Sequence, residues 1–457
     1  MQTGENTSNK RGRKEQRRGL NAPSFFDTLY ESAGRQDSGQ QQFFLREGRL
    51  VSERMNSAVN MNPVLKNRIR AVLGAAFLGM ILCTGCGPVS RYTEADGPVR
   101  VALVVDMGGI DDKGFNQKTF EACKEFCEAN SLPFTYFIPD KAIRYSYRNV
   151  FDAAVASGFN VLVACGNQYA QTLAEMSLKY PEVKFIGIDM DSSNVLSQTL
   201  GNKYDGDPSH YEIGRYLRAE NTYLMTYRED IAGYLAGYAA VYMGYESLGY
   251  IGGIEIPAVM RYGYGFLQGI RDAAEELGNT DRILVRYAYA GQFTPAAEIT
   301  AAMETWYQNG TQVVFSCGGG IYSSVAEAGA KSRAKIIGVD LDQKEQLDAY
   351  LDGMTVTSAL KKLDASVQFA LQTIVDGDWE EKAGGRQEKL GIVTAEDPEL
   401  NYVGLPEETT QWKERFGVKE YRELLRHILD GSLTVDPSTD SFPELPFRVE
   451  RRQGTIM

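Results

Sequence analysis

The chain has 457 residues, too many for one small core and enough for two or three domains. An apolar fraction of 43% and a charged fraction of 24% are ordinary for folded proteins, which excludes a mostly disordered or fibrous chain. The net charge is −12, yet the first 70 residues are net basic, so the body of the chain is strongly acidic and nucleic acid is not its expected partner.

Residues 1–60 are polar, basic and aperiodic, with KRGRKEQRRG near the start. Nothing there buries enough apolar surface to offset the entropy of ordering. Residues 61–85 read as a leader: Lys66, Arg68 and Arg70 precede an apolar run, Ala71 to Leu82. That run fits the core of a signal peptide and is too short to span a bilayer. It closes on Cys83-Thr84-Gly85-Cys86, and small residues before a cysteine resemble the bacterial lipobox. Cys83 stands where that motif prefers leucine. The resemblance implies cleavage before Cys86 and acylation of Cys86, which tethers the protein to the membrane surface. A leader normally opens a chain. The expectation is therefore that translation starts at Met61 or Met55 and that 1–60 is a mis-assigned preface, with a nucleic-acid-binding tail as the competing reading. Residues 86–97 form a linker.

From 98 onward strands and helices alternate. Val99 to Val105 is almost wholly apolar and β-branched, the pattern of a strand buried on both faces. A helix is predicted over 116–130, a strand over 134–138, a helix over 146–157, a strand over 161–165, a helix over 170–179 and a strand over 183–188. A second series begins near Glu229: a small-residue helix over 230–244, strands at 248–253, 283–288, 313–317 and 336–340, and helices at 260–277, 295–309 and 323–330. A strand and helix follow over 356–376, then an amphipathic helix over 419–429. The fold class is α/β, with two doubly wound, Rossmann-like lobes. Lobe 1 is expected at 98–228, with 355–430 returning to it, lobe 2 at 229–354, and a C-terminal tail at 431–457 that reads as loosely ordered from Asp436 to Met457.

Ligands in open parallel sheets bind beyond the carboxyl ends of strands. Five such ends are polar or glycine-rich, beginning at Asp106, Cys165, Gly252, Cys317 and Asp340. Glycines there let a ligand approach backbone N–H groups. The sequence contains no phosphate-binding P-loop, no HExxH and no GxSxG, and the glycines at 263, 265 and 269 have the wrong spacing for a dinucleotide site. Two histidines, His210 and His427, far apart, and no paired CxxC units leave no metal site or cofactor to expect. Cys123, Cys127, Cys165 and Cys317 read as small buried residues. No carboxylate pair stands with a nucleophile, so the chain is expected not to be an enzyme.

Several segments resemble the basic membrane protein family. They are Val104–Gln117 (VVDMGGIDDKGFNQ), Ala164–Gln168 (ACGNQ), Ala232–Tyr238 (AGYLAGY), Ile251–Pro257 (IGGIEIP), Arg261–Phe266 (RYGYGF), Ile337–Gln343 (IGVDLDQ) and Thr357–Lys361 (TSALK). Together they span roughly residues 98–430. These are type I substrate-binding proteins of ABC transporters, of which the best-known members are purine nucleoside receptors. The resemblance implies the type I periplasmic-binding-protein fold, two lobes on a three-strand hinge, a ligand in the cleft and a membrane permease as partner. It implies that Phe115 and Tyr262 sandwich a base, although the second position is usually Phe. By the same resemblance Asp106 faces the base, Asp340 accepts from ribose hydroxyls, Lys361 donates to the sugar, and Gly319 is a looser match. Asn116, beside the aromatic, is placed to read the base edge. A lipid-anchored monomer on the extracytoplasmic face of the cell membrane is expected. The alternatives are a ligand sensor or regulator on the same fold, a binding protein for a sugar or autoinducer, and a nucleoside hydrolase.

Overall fold

The computed structural model describes residues 98–457, which lie within one compact unit. The preface, the leader, the linker and Cys86 fall outside the described residues.

The first half builds β1 (Val101–Val104), β2 (Phe134–Phe137), β3 (Val161–Cys165), β4 (Lys184–Ile188) and β5 (Thr222–Tyr227). Between them lie α1 (Phe115–Ala129), α2 (Arg144–Ala156), α3 (Ala170–Lys179) and α4 (Ser192–Leu200). The second half runs α5 (Glu229–Tyr242), β6 (Ser247–Gly252), α6 (Pro257–Leu277), β7 (Leu284–Tyr289), α7 (Ala297–Gln308) and β8 (Val313–Cys317). It continues through α8 (Tyr322–Ser332), β9 (Lys335–Asp340), α9 (Lys344–Asp348) and β10 (Thr355–Lys361). Then come α10 (Leu363–Asp376), α11 (Trp379–Lys382), β11 (Gln387–Leu390), β12 (Val403–Gly404), α12 (Val418–Leu429) and β13 (Arg448–Thr455).

The first sheet has the order β11-β5-β4-β3-β1-β2 and the second β12-β10-β9-β8-β6-β7-β13. The paired strands are parallel except β12, which runs antiparallel to β10. Parallel neighbours need a crossover, and the helices supply it. The order 2-1-3-4-5 of the first sheet recurs as 7-6-8-9-10 in the second. In each sheet it reverses at one point, between β1 and β3 and between β6 and β8. Those two points are where an open α/β sheet leaves a crevice.

The expected return of 355–430 to the first lobe is corrected. β10 pairs with β9 and so belongs to the second sheet. The return comes one element later: α10 lies on α1, where Lys118 and Asp364 pair at 2.9 Å, and β11 joins β5. β12 then goes back to the second sheet. Among the described residues the chain thus passes between the lobes three times. The crossings are tied to one another: Arg228 N–H donates to Leu390 O (2.8 Å), Lys362 N–H to Tyr402 O (2.8 Å) and Tyr402 N–H to Gly391 O (3.0 Å).

The expected loose tail is also corrected, because Arg448–Thr455 is a strand along β7. Without it β7 would be a sheet edge with a row of unpaired backbone groups. Close packing of α5 on α6 depends on glycine. A Cβ on Gly265 would collide with the carbonyl of Asp230, so this residue lets α6 press its backbone onto α5. That approach brings Arg261 of α6 against Glu229 of α5, with Nε and Oε2 2.7 Å apart. No helix among the described residues is long and apolar enough to cross a membrane.

Candidate functional site

A cavity of about 340 Å³ lies between the two lobes, beyond the carboxyl ends of their strands. It is at the lower end of the ~300–1,000 Å³ usual for small-molecule sites. Asp106, Phe115 and Asn116 line it from the first lobe, and Tyr262, Gly319, Asp340 and Lys361 line it from the second. The seven residues singled out in the sequence are therefore brought to one cavity by two sheets.

The first-lobe wall is built by the turn after β1. Asp112 accepts from the backbone N–H groups of Gly114 (3.0 Å), Asn116 (3.0 Å) and Gln117 (2.9 Å). These include first-turn donors of α1 that no helical carbonyl can reach, so the carboxylate fixes where the helix starts. Phe115 and Asn116 thereby face the cavity. Asp106 Oδ1 accepts from Gly108 N–H (2.8 Å) and from the Asn116 side-chain amide (2.6 Å). The amide is thus oriented, and Asn116 Oδ1 is left buried without a protein partner.

In the second lobe, Asp340 ends β9 with φ at +65°, a conformation that costs a non-glycine residue energy and persists only where the surroundings enforce it. It is 8% exposed and accepts from the Tyr262 hydroxyl at 3.2 Å. Burial pushes its carboxyl up to about 6, even with Lys361 nearby.

Lys361, 2% exposed, sits at the centre of a buried ionic group. Its Nζ lies 2.7 Å from Asp189 Oδ2 and 3.0 Å from Glu229 Oε1. It also stands 4.9 Å from the Phe115 ring centre and 4.8 Å from that of Tyr227. Burial alone would lower the ammonium. The carboxylates of Asp189, Glu229 and Asp340 outweigh it and hold Lys361 above its ordinary value. Burial works the other way on Glu229, where Arg261 and Lys361 overcome it and keep the carboxylate below its usual range. Burial pushes Asp189 up against the pull of Lys361. Since Asp189 follows β4 and Lys361 ends β10, this pair bridges the lobes. A second bridge is the Gln343 amide donating to Lys113 O at 3.0 Å.

Sequence reasoning missed Asp189, Glu229, Arg261 and Phe293. A signal for Asp189 was present: Phe185–Asp191 (FIGIDMD) repeats as Ile336–Asp342 (IIGVDLD). In the structure Asp189 and Asp340 occupy equivalent strand ends, with φ at +60° and +65°. Val161–Gly166 (VLVACG) and Val313–Gly318 (VVFSCG) are a second matching pair, and both glycines have positive φ. Phe293, after β7, had no comparable signal.

Two residues that line this cavity carry a buried acceptor without a protein partner, Asn116 Oδ1 and Asp189 Oδ1. The walls include the rings of Phe115, Tyr262 and Phe293. Among the described residues no group of three or more His, Cys, Asp or Glu side chains is gathered to hold a metal ion.

The family model described as ABC transporter substrate-binding protein PnrA-like matches residues 99–413. The chain belongs to this family. Among curated relatives, the ABC transporter nucleoside-binding protein BmpA of Lactococcus lactis is 24% identical over 68% of this chain and 86% of its own length. The CD4+ T-cell-stimulating antigen of Listeria monocytogenes is 25% identical over 79% of this chain and 97% of its own. An uncharacterized lipoprotein of Pyrococcus abyssi is 24% identical over 78% of this chain and 80% of its own. Of solved structures, an ABC transporter solute-binding protein from Aeropyrum pernix aligns with a TM-score of 0.54 at 23% identity, over 74% of this chain and 88% of its own. At that identity it speaks for the fold alone, the two-lobed type I binding-protein fold that the PnrA-like chain adopts here.

Proposed function

We propose that this protein is the substrate-capturing component of an ABC importer, held by an acylated Cys86 on the extracytoplasmic face of the membrane, and that its ligand is a purine nucleoside. The observation that carries the reading is an interlobe cavity that combines aromatic walls with buried, unfilled hydrogen-bond acceptors. A nucleoside is flat on one side and rich in O–H and N–H donors on the other. Phe115 and Tyr262 take the faces of the base, and such ring pairs add about 0.5–1.5 kcal/mol beyond burial. Asp106 and Asn116 read its edge. Asp340 accepts from the ribose hydroxyls, a charge-assisted contact stronger than a neutral one. Lys361 donates to the sugar, and Gly319 admits it close to the backbone. The name of the Lactococcus relative supports a nucleoside, and relatives named as lipoproteins support the anchor.

Binding draws the lobes together about the three crossings. The ligand favours the closed form because only there does it touch both lobes at once. The closed monomer then presents itself to a membrane permease and releases the ligand unchanged. Phe115→Ala is expected to cost more than about 1 kcal/mol of nucleoside affinity through the lost stacking and burial. Calorimetric titration of both proteins with guanosine measures it, and an unchanged affinity would remove Phe115 from the site.

A further inference from the structure

The segment after residue 413 lies outside the stretch matched by the family model, yet its last strand lies along β7, whose following loop forms part of the cavity wall. β13 runs along the outer edge of β7, and Ile456 N–H and Met457 N–H donate to Tyr289 O and Ala290 O, each at 3.0 Å. The other side of the same stretch is held by β6: Ala290 N–H donates to Gly252 O (2.7 Å) and Gly291 N–H to Gly253 O (2.9 Å). Gly291 turns the chain with φ at +93°, and a Cβ there would stand 2.9 Å from Thr455 Cβ. Two residues on, Phe293 enters the cavity wall.

Phe293 is seated on glycine. A Cβ on Gly253 would collide with its ring, and one on Gly318 would stand 3.0 Å from it. These glycines follow β6 and β8, the strands at the switch point of the second sheet. The ring therefore has a fixed floor, and where it lies on that floor depends on its backbone. That backbone springs from the end of β7, which β13 clamps on one side. Upstream, Phe442 anchors the segment edge-on against Tyr264 and Tyr287, at 5.5 and 5.3 Å between ring centres.

We propose that the C-terminal strand is a positioning element of the binding site: by pairing with β7 it sets the Gly291–Pro295 turn, and so places the Phe293 ring against whatever ligand the cavity holds. This goes beyond the nucleoside reading and does not depend on it. Loss of a strand from a sheet edge lets the neighbouring backbone open locally while the rest of the fold stays closed. Ile456→Pro removes the N–H that Tyr289 O accepts, and Ile456→Val keeps it.

Hydrogen–deuterium exchange of the ligand-free proteins is the test. Ile456→Pro is expected to speed exchange in residues 291–296 about tenfold, equivalent to a local loss near 1.4 kcal/mol. Exchange in β3 and β8 is expected to stay at the wild-type rate, and Ile456→Val to behave as wild type. Guanosine titration is expected to show about tenfold weaker binding to Ile456→Pro, with Ile456→Val restoring it. Unchanged exchange over 291–296, or an increase of the same size in β3 and β8, would overturn the proposal. If wild type takes up no guanosine, the nucleoside reading falls and the exchange result still decides the role of the strand.

Discussion

Replacing Lys361 with methionine is expected to lower the unfolding free energy by about 3–5 kcal/mol at neutral pH, the usual cost of removing one partner from a buried ion pair. Methionine fills the space of the lysine stem but leaves the Asp189 carboxylate without the ammonium 2.7 Å away. Glu229 keeps Arg261 at 2.7 Å, so the deficit centres on Asp189, which already has Oδ1 unpartnered. The sign of the pH effect follows. Asp189, buried and unpaired, has its folded-state affinity for protons raised further above its unfolded value. As pH falls, the folded variant gains protons that the unfolded chain does not, and the deficit shrinks. Urea denaturation of both proteins at pH 7.5 and pH 5 reads this out. A loss below about 1 kcal/mol at both would show the ionic group to be an incidental surface-like pair.

Asp340 gives the second large effect. Burial holds its carboxyl up to about 6, against an ordinary value of 3.8. In the free protein, the folded state thus binds more protons than the unfolded chain between these values. Asp340 therefore makes stability fall as pH rises through that window. Ligand binding runs the other way. In the proposed complex ribose hydroxyls donate to the ionised carboxylate, so affinity is expected to drop about tenfold per pH unit below 6, with a proton released on binding. Asp340→Asn is expected to flatten this profile and to weaken binding by about 1.5–3 kcal/mol at neutral pH, the range for a hydrogen bond to a charged group. Titrations from pH 5 to pH 8 measure both. A flat profile in the unaltered protein would show that Asp340 does not meet the ligand.

What could be read beforehand divides along physical lines. Strands buried on both faces, such as β1, β3, β8 and β9, are continuous apolar runs that need no partner to be recognised. Phe115 and Asp106 were legible because they follow such a run in a specific motif. β11 (QEKL) and β13 (RVERRQGT) are charged edge strands, and only a neighbour's unpaired backbone makes them strands. β10 looked like a strand but not like a member of the second lobe, because sheet membership is a matter of pairing rather than composition. Glu229 and Arg261 fall in the first turns of two helices, and nothing in the sequence marks them as partners. Their roles appear only when α5 and α6 touch, since the two residues stand 32 positions apart in the chain.

The most direct measurement is calorimetric titration of the protein with guanosine, guanine, ribose and guanosine monophosphate in turn. Saturable one-to-one binding of guanosine, tighter than of either fragment, is expected, because the base and the sugar each reach only part of the cavity. The monophosphate is expected to bind more weakly, since it would bring negative charge among Asp189, Asp340 and Asp106. Ribose binding as tightly as guanosine, or no binding of the nucleoside at all, would contradict a site that grips a purine nucleoside between two lobes.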